Sequence, residues 1–171
     1  SYALLGHSMG ARFALRAAAL QPDGVRRLVL VDPPVSGPGR RAYPGQWPWY
    51  ADSIRQSLPG MSAEQMRAFC PTWSEEQRQL RAEWLHTCYE PAIQRAYDDF
   101  HQVDSHRDYP QLTMPTLLMA AGKGGVIQPE DRAEIRALQP EIAIVEVENA
   151  GHMIPWDDFD GFFRALGDFL D

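Results

Sequence analysis

Positive charge, cysteine and long apolar runs are all scarce in this chain, and each scarcity closes off a class of function. Lys and Arg number 16 against 23 Asp and Glu, for a net charge of -7 and a pI near 5.2. Such a surface offers no counter-charge to phosphate backbones or anionic lipid, which argues against nucleic acid and membrane surfaces as partners. The two cysteines, Cys70 and Cys88, lie in a helical stretch without the spacing of metal ligands. No metal site is expected from them, only buried thiols. No apolar run approaches the roughly 20 residues a membrane helix needs, and no signal-like segment opens the sequence, which suggests a cytoplasmic protein. What remains is a chain of 171 residues, 44% hydrophobic and 23% charged, enough for one globular domain or part of one.

The stretch with most to say is the first, SYALLGHSMG. A short apolar run breaks into a helix-forming segment, ARFALRAAAL, with Ser8 at the corner and glycines two residues to either side. Gly6-His7-Ser8-Met9-Gly10 fits G-x-S-x-G, a turn in which a strained serine crowds its neighbours and stands above a sheet edge. Steric crowding predicts that glycine is required at both Gly6 and Gly10. The helix after Ser8 ends before Pro22 and Gly24, and its N-terminus aims partial positive charge at whatever lies over the serine. An ordinary glycine-flanked turn is the bland alternative.

Leu28-Val29-Leu30-Val31 follows as a second buried strand, closed by Asp32 and stopped by Pro33-Pro34. Strand, turn, helix, strand is a right-handed βαβ unit. Both strands then end at one edge, and Asp32 lies beside Ser8 where open α/β sheets bind ligands. An aspartate in that place is equally a strand-end turn residue.

From Ser36 to Tyr50 prolines, glycines and aromatics replace any period, and the chain leaves the sheet. Ser62 with Gln65, and Ser74 with Gln77, have capping-box spacing. Met66, Phe69 and Cys70 share one helical face, and Leu80, Trp84, Leu85 and Cys88 share another. A third helix is expected near 91–103. These make a helical insertion, 39–109, between core segments 1–38 and 110–171, of the kind that builds a lid. Trp47, Trp49, Tyr50, Trp73 and Tyr89 either line a pocket or fill the insertion's own small core.

PTLLMA (115–120) opens a third buried strand, followed by Gly122-Lys123-Gly124-Gly125 and a helix beginning near Pro129. IAIVEV (142–147) is a fourth strand, after which Asn149-Ala150-Gly151-His152 sets a histidine at another strand end. Phe159, Phe162, Phe163, Leu166, Phe169 and Leu170 form a stripe expected to pack on the sheet. His86, His101 and His106 read as surface or structural histidines.

LLGHSMG, LVLVDPP, PTLLMA and AGHMIPW together resemble the C-terminal part of an α/β-hydrolase, over almost the whole sequence. The resemblance implies a mostly parallel sheet flanked by helices, with a helical cap and with N-terminal strands lying outside this sequence. Ser8 is then the nucleophile and His152 the general base. The acid that most relatives carry after the third strand falls on Gly125, which has no side chain to offer. Glu130 and Asp131 belong to the start of the next helix, so Asp32 is the better candidate acid. The glycine-rich loop AGKGGVIQPED (121–131) and NAGHMIPWDDF (149–159) are similar to the branch of the family that deformylates N-formylmaleamate in nicotinate degradation. That likeness implies hydrolysis of a linear amide through a formyl-enzyme, without metal or organic cofactor. The Met9 N–H would supply one oxyanion donor, with a second from a loop upstream of this sequence. On that view the polypeptide alone is expected to be poorly stable and nearly inactive. Lys123, Trp47 and Trp49 are candidate contacts for a small-molecule substrate, and Arg40 and Arg41 candidate cations for its carboxylate. A carboxylesterase, a carbon–carbon bond hydrolase on a small acid, and a non-catalytic hydrolase-like protein are the alternatives. Oligomeric state is not legible.

Overall fold

The computed structural model describes residues 1–171, which form two compact units: Ser1–Tyr43 with Phe100–Asp171, and Pro44–Asp99. No helix is long and apolar enough to cross a membrane.

The first unit is built on four parallel strands in the order β1 (Tyr2–His7), β2 (Val25–Val31), β3 (Thr116–Ala121) and β4 (Ala143–Val147). Central parallel strands are covered on both faces and so need unbroken apolar runs. Leu28 to Val31 and all of β3 are accordingly buried, while β1 and β4 are only partly so. α1 (Met9–Leu20) returns the chain from β1 to β2 and buries Ala11, Ala14, Leu15 and Ala18. α6 (Pro129–Leu138) returns it from β3 to β4. Its start is fixed by Pro129 in the first turn and by the Asp131 carboxylate, which accepts the Gln128 N–H at 2.7 Å.

The C-terminal stripe packs on the sheet along one edge only. A short helix, α7 (Ile154–Asp157), leads into α8 (Phe159–Leu166), in which Phe162 is buried, and Leu166, Phe169 and Leu170 lie against the Val29, Val31, Leu117 and Met119 cluster. Phe159 and Phe163 are 64% and 52% exposed and pair edge-to-face at 4.9 Å. The helix ends at Gly167 (φ +48°), so Phe169 and Leu170 leave the helical register that would have aligned all six.

The second unit is helical: α2 (Trp47–Ser57), α3 (Ala63–Met66), α4 (Glu75–Leu85) and the first part of α5 (Glu90–Gln102). Both capping boxes form, with Ser62 and Gln65, and Ser74 and Gln77, exchanging side-chain and main-chain hydrogen bonds. Its core is Ile54, Met66, Cys70, Ala82 and Leu85. The inward stripe of α4 differs from the apolar one in the sequence: Arg78, Ala82 and Leu85 are buried, while Leu80 and Trp84 are exposed. Arg78 takes the inward place because its guanidinium donates to the carbonyls of Ala63 and Trp73, tying α4 to the first residue of α3 and to the chain just before its own cap. Trp84 is then left on the outer face.

This unit is shorter than the stretch 39–109. Arg40 grips Glu134 through two 2.7 Å hydrogen bonds, and Arg41 meets Asp131 at 2.6 Å, which holds residues 40–41 to the first unit. The 3-10 helix His106–Gln111 packs against α1 and α6 of that unit. Arg40 and Arg41 are thus ion-paired rather than free surface cations.

Candidate functional site

Two neighbouring strands end in the same uncommon way. Ser8 follows β1 with φ +54°, and Asp32 follows β2 with φ +44°. Left-handed backbone at a non-glycine residue costs about 1–3 kcal/mol and persists only where the surroundings enforce it. Here the ladder does the enforcing: the Ser8 N–H donates to Val31 O and the Asp32 N–H to Met119 O, both at 2.8 Å. Each bend lifts a side chain off the carboxyl edge of the sheet.

At Ser8 the bend brings strand and helix together. A Cβ on Gly6 would stand 2.2 Å from the carbonyl oxygen of Gly10, so Gly6 is required by contact with backbone. Gly10 is not, because a Cβ there meets nothing within 4 Å. The expectation that both glycines are sterically forced is therefore corrected: the crowding runs one way, from Gly6 onto the main chain of Gly10. Ser8 occupies the N-cap position of α1, yet its hydroxyl makes no capping bond. It is engaged elsewhere.

That partner is His152, in the loop after β4. His152 Nε2 lies 2.9 Å from Ser8 Oγ, and its Nδ1 lies 2.7 Å from Asp32 Oδ2. A carboxylate accepts and does not donate, so Nδ1 carries the ring proton and Nε2 is left to accept from the Ser8 hydroxyl. Asp32 is fully buried and its oxygens also receive the main-chain N–H groups of Val126 (3.1 Å) and Ala121 (3.4 Å). A buried carboxylate without donors is costly, and these hydrogen bonds with the imidazole supply them.

Gly125 shows why the glycine-rich loop is what it is. A Cβ there would sit 2.6 Å from the Ala121 Cβ and 2.9 and 3.0 Å from the two Asp32 oxygens. Position 125 must be empty of side chain for the Asp32 carboxylate to occupy its place. Asp131, the competing carboxylate, is spent on the α6 cap and on Arg41.

The imidazole is carried by a loop tied at both sides. The Lys123 N–H donates to Ala150 O at 2.9 Å, and the Lys123 ammonium to Asn149 Oδ1 at 3.2 Å. Lys123 therefore serves the loop that bears His152. On the other side His7 Nε2 lies 2.7 Å from the main-chain oxygen of His152. Burial lowers the His7 pKa below its ordinary value. Sequence reasoning passed over His7, whose one signal was its place directly before Ser8.

Met9 opens α1, so its N–H is one of the first-turn donors that have no partner inside the helix. Trp47 and Trp49 belong to the helical unit. Trp47 packs on Tyr97 at 5.6 Å; Trp49 donates its indole N–H to Phe69 O at 2.9 Å and carries the Arg81 guanidinium over its ring. Three side chains, two at strand ends and one in the loop after β4, thus form one hydrogen-bonded line from a hydroxyl through an imidazole to a buried carboxylate, an arrangement that can pass a proton from the first to the second. No cluster of His, Cys, Asp and Glu has the make-up of a metal site.

Comparison with known proteins agrees with this architecture. Residues 1–159 match the family model described as the alpha/beta hydrolase fold. Over all 171 residues the chain is 70% identical to an N-formylmaleamate deformylase of Pseudomonas putida, of which it spans 64%. It is 30% identical over 178 residues to an sn-1-specific diacylglycerol lipase of Mus musculus, covering 98% of this chain and 58% of that one. The crystal structure of the N-formylmaleamic acid deformylase from Pseudomonas putida S16 superposes with a TM-score of 0.93 at 55% identity, over 96% of this chain and 66% of the other.

Proposed function

The chain belongs to the α/β-hydrolase family, and from that premise we propose that it is a serine hydrolase that cleaves the formyl amide of N-formylmaleamate to maleamate and formate. The observation that carries this reading is the Ser8–His152–Asp32 line, at 2.9 and 2.7 Å, in a chain 70% identical throughout to a deformylase.

Ser8 Oγ attacks the formyl carbon as His152 Nε2 takes the hydroxyl proton, and Asp32 holds the resulting imidazolium in place. The Met9 N–H, at the positive end of α1, stabilises the oxyanion. His152 then returns its proton to the amide nitrogen, the C–N bond breaks, and maleamate departs. A water molecule, deprotonated by the same imidazole, attacks the formyl ester; formate leaves and Ser8 recovers its proton. One water is consumed, and each proton passes through His152, so the sequence of steps calls on no cofactor.

Lys123 is retained in this proposal as a cation for the substrate's carboxylate and Trp47 and Trp49 as an apolar lining, with the helical unit as the cap that the family resemblance implies. The free thiols Cys70 and Cys88 suit a cytoplasmic setting, where disulfides are rare.

A substrate panel on the full-length protein tests the reading. N-formylmaleamate should be turned over with a kcat/KM well above that for short acyl esters, and Ser8→Ala should abolish turnover while leaving the fold intact. Preference for the esters would favour a carboxylesterase, for which the 30% identical lipase is the supporting observation.

A further inference from the structure

Resting on the roles given above to Ser8 and His152, we propose that His7 is a positioning residue that moors the loop carrying His152 to the strand carrying Ser8. The need for a mooring follows from topology. Ser8 stands at the end of β1 and the His152 loop follows β4, three strands along in the order β1-β2-β3-β4. The imidazole has to be carried back past β3 and β2.

Main-chain hydrogen bonds cover the first part of that distance. Gly122 N–H to Val147 O (3.0 Å) and Lys123 N–H to Ala150 O (2.9 Å) fasten the loop to the end of β3. They leave it unattached to β1. The His7 ring supplies that attachment: it is the last residue of β1, and its Nε2 reaches the carbonyl oxygen of His152 at 2.7 Å across 145 residues of sequence. The acceptor belongs to the histidine itself, so the bond fixes the main chain from which the imidazole projects. The two rings are 5.0 Å apart and tilted by 40°.

The chemistry of the ring suits the task. A carbonyl accepts only, so His7 keeps its proton on Nε2. Burial favours the neutral His7 ring, against the pull of the carbonyl bond; positive charge on His152 would work the same way as burial, and Asp32 and Asp157 oppose. A neutral donor steadies the loop without setting a second cation beside the imidazolium that His152 becomes.

The test compares, in the full-length protein, His7→Phe, which keeps a ring and loses the N–H, with His7→Gln, which keeps a terminal N–H. Thermal unfolding, kcat and KM on N-formylmaleamate, and the rate at which a fluorophosphonate labels Ser8 are measured for each. A loop displaced by a fraction of an ångström should lower kcat and labelling together by about 10- to 100-fold in His7→Phe, with KM little changed. His7→Gln should recover most of the loss. Near wild-type kcat and labelling in folded His7→Phe, or an equal fall in His7→Gln, would overturn the proposal. Should His7→Phe fail to fold, His7→Gln decides alone: retained kcat supports the mooring and a full loss refutes it. Turnover that survives in Ser8→Ala would instead sink the reading of the site on which the mooring rests.

Discussion

The ends of β1 and β2 solve one problem with opposite surroundings. Both strands stop in a non-glycine residue with positive φ, at Ser8 and Asp32, and both bends are held by a 2.8 Å hydrogen bond to the next strand. Ser8 is left partly open, its hydroxyl excused from capping duty on α1. Asp32 is sealed, with two main-chain donors, the imidazole, and the bare Cα of Gly125 against its carboxylate. The same backbone device thus presents one side chain open and one sealed, and the packing around it decides which. On the roles proposed above, the open one is a nucleophile that substrate must reach and the sealed one an orienting carboxylate shielded from water.

Breaking the sealed end should have the largest effect. In the full-length protein Asp32→Asn keeps the shape of the side chain but presents the wrong imidazole tautomer to Ser8, and kcat should fall by about 10^4, as for the equivalent change in a serine protease. Stopped assays with a stability control distinguish this from unfolding. Near-normal turnover would shift the acid's role to Asp131.

At the open end, Gly6→Ala should destabilise the fold by about 3 kcal/mol, because its Cβ collides with backbone that cannot swing away. Gly10→Ala is the contrast, expected to be neutral or stabilising by up to about 1 kcal/mol, since the site is open and alanine favours helix. Chemical denaturation of the pair measures both. Equal losses would contradict the one-way crowding described for this turn.

Gly125→Ala sharpens the comparison further. Displacing the Asp32 carboxylate by even a fraction of an ångström should lower kcat by up to about 100-fold. Gly124→Ala, with φ +75° and open space, should instead cost about 1–2 kcal/mol of stability and little activity. Kinetics and thermal melts on the two neighbours separate space from backbone strain.

The smallest effect concerns pH and lies away from both strand ends. Burial, and secondarily the Arg40 guanidinium, lower the pKa of His106, while Glu134, Asp104 and Asp131 raise it. The unfolded chain therefore takes up a proton that the folded one resists. This contribution to stability is present above pH 6.5 and is lost as pH falls below 6.5 toward the depressed folded value. His7 is shifted in the same direction. Melts between pH 7.5 and 5 should show a shallower fall for His106→Gln than for the parent, with kcat at pH 7.5 unchanged.

What the sequence made legible follows the range of the interactions. The capping boxes at Ser62 and Ser74, the buried runs of β2 and β3, and the glycine before Ser8 are local codes, and they read correctly from neighbouring residues. Arg78 misled because a buried guanidinium satisfied by two carbonyls looks, in a helical pattern, like a solvent-facing charge. Phe159 and Phe163 misled because hydrophobic periodicity records a face without recording how far along it the sheet extends. The βαβ pattern set residue 32 beside residue 8, whereas the arrival of residue 152 has no local signature, and family resemblance alone suggested it. The His7 mooring and the need for Gly125 are contacts across 145 and 93 residues, beyond any spacing rule.

The hydrogen bond between His152 Nδ1 and Asp32 is the central claim, and proton NMR of the imidazole N–H tests it most directly. A strongly downfield, exchange-protected resonance should be present in the parent protein and in Asp131→Asn, and should vanish in Asp32→Asn and His152→Gln. Persistence of that signal in Asp32→Asn, or its loss in Asp131→Asn, would contradict the account.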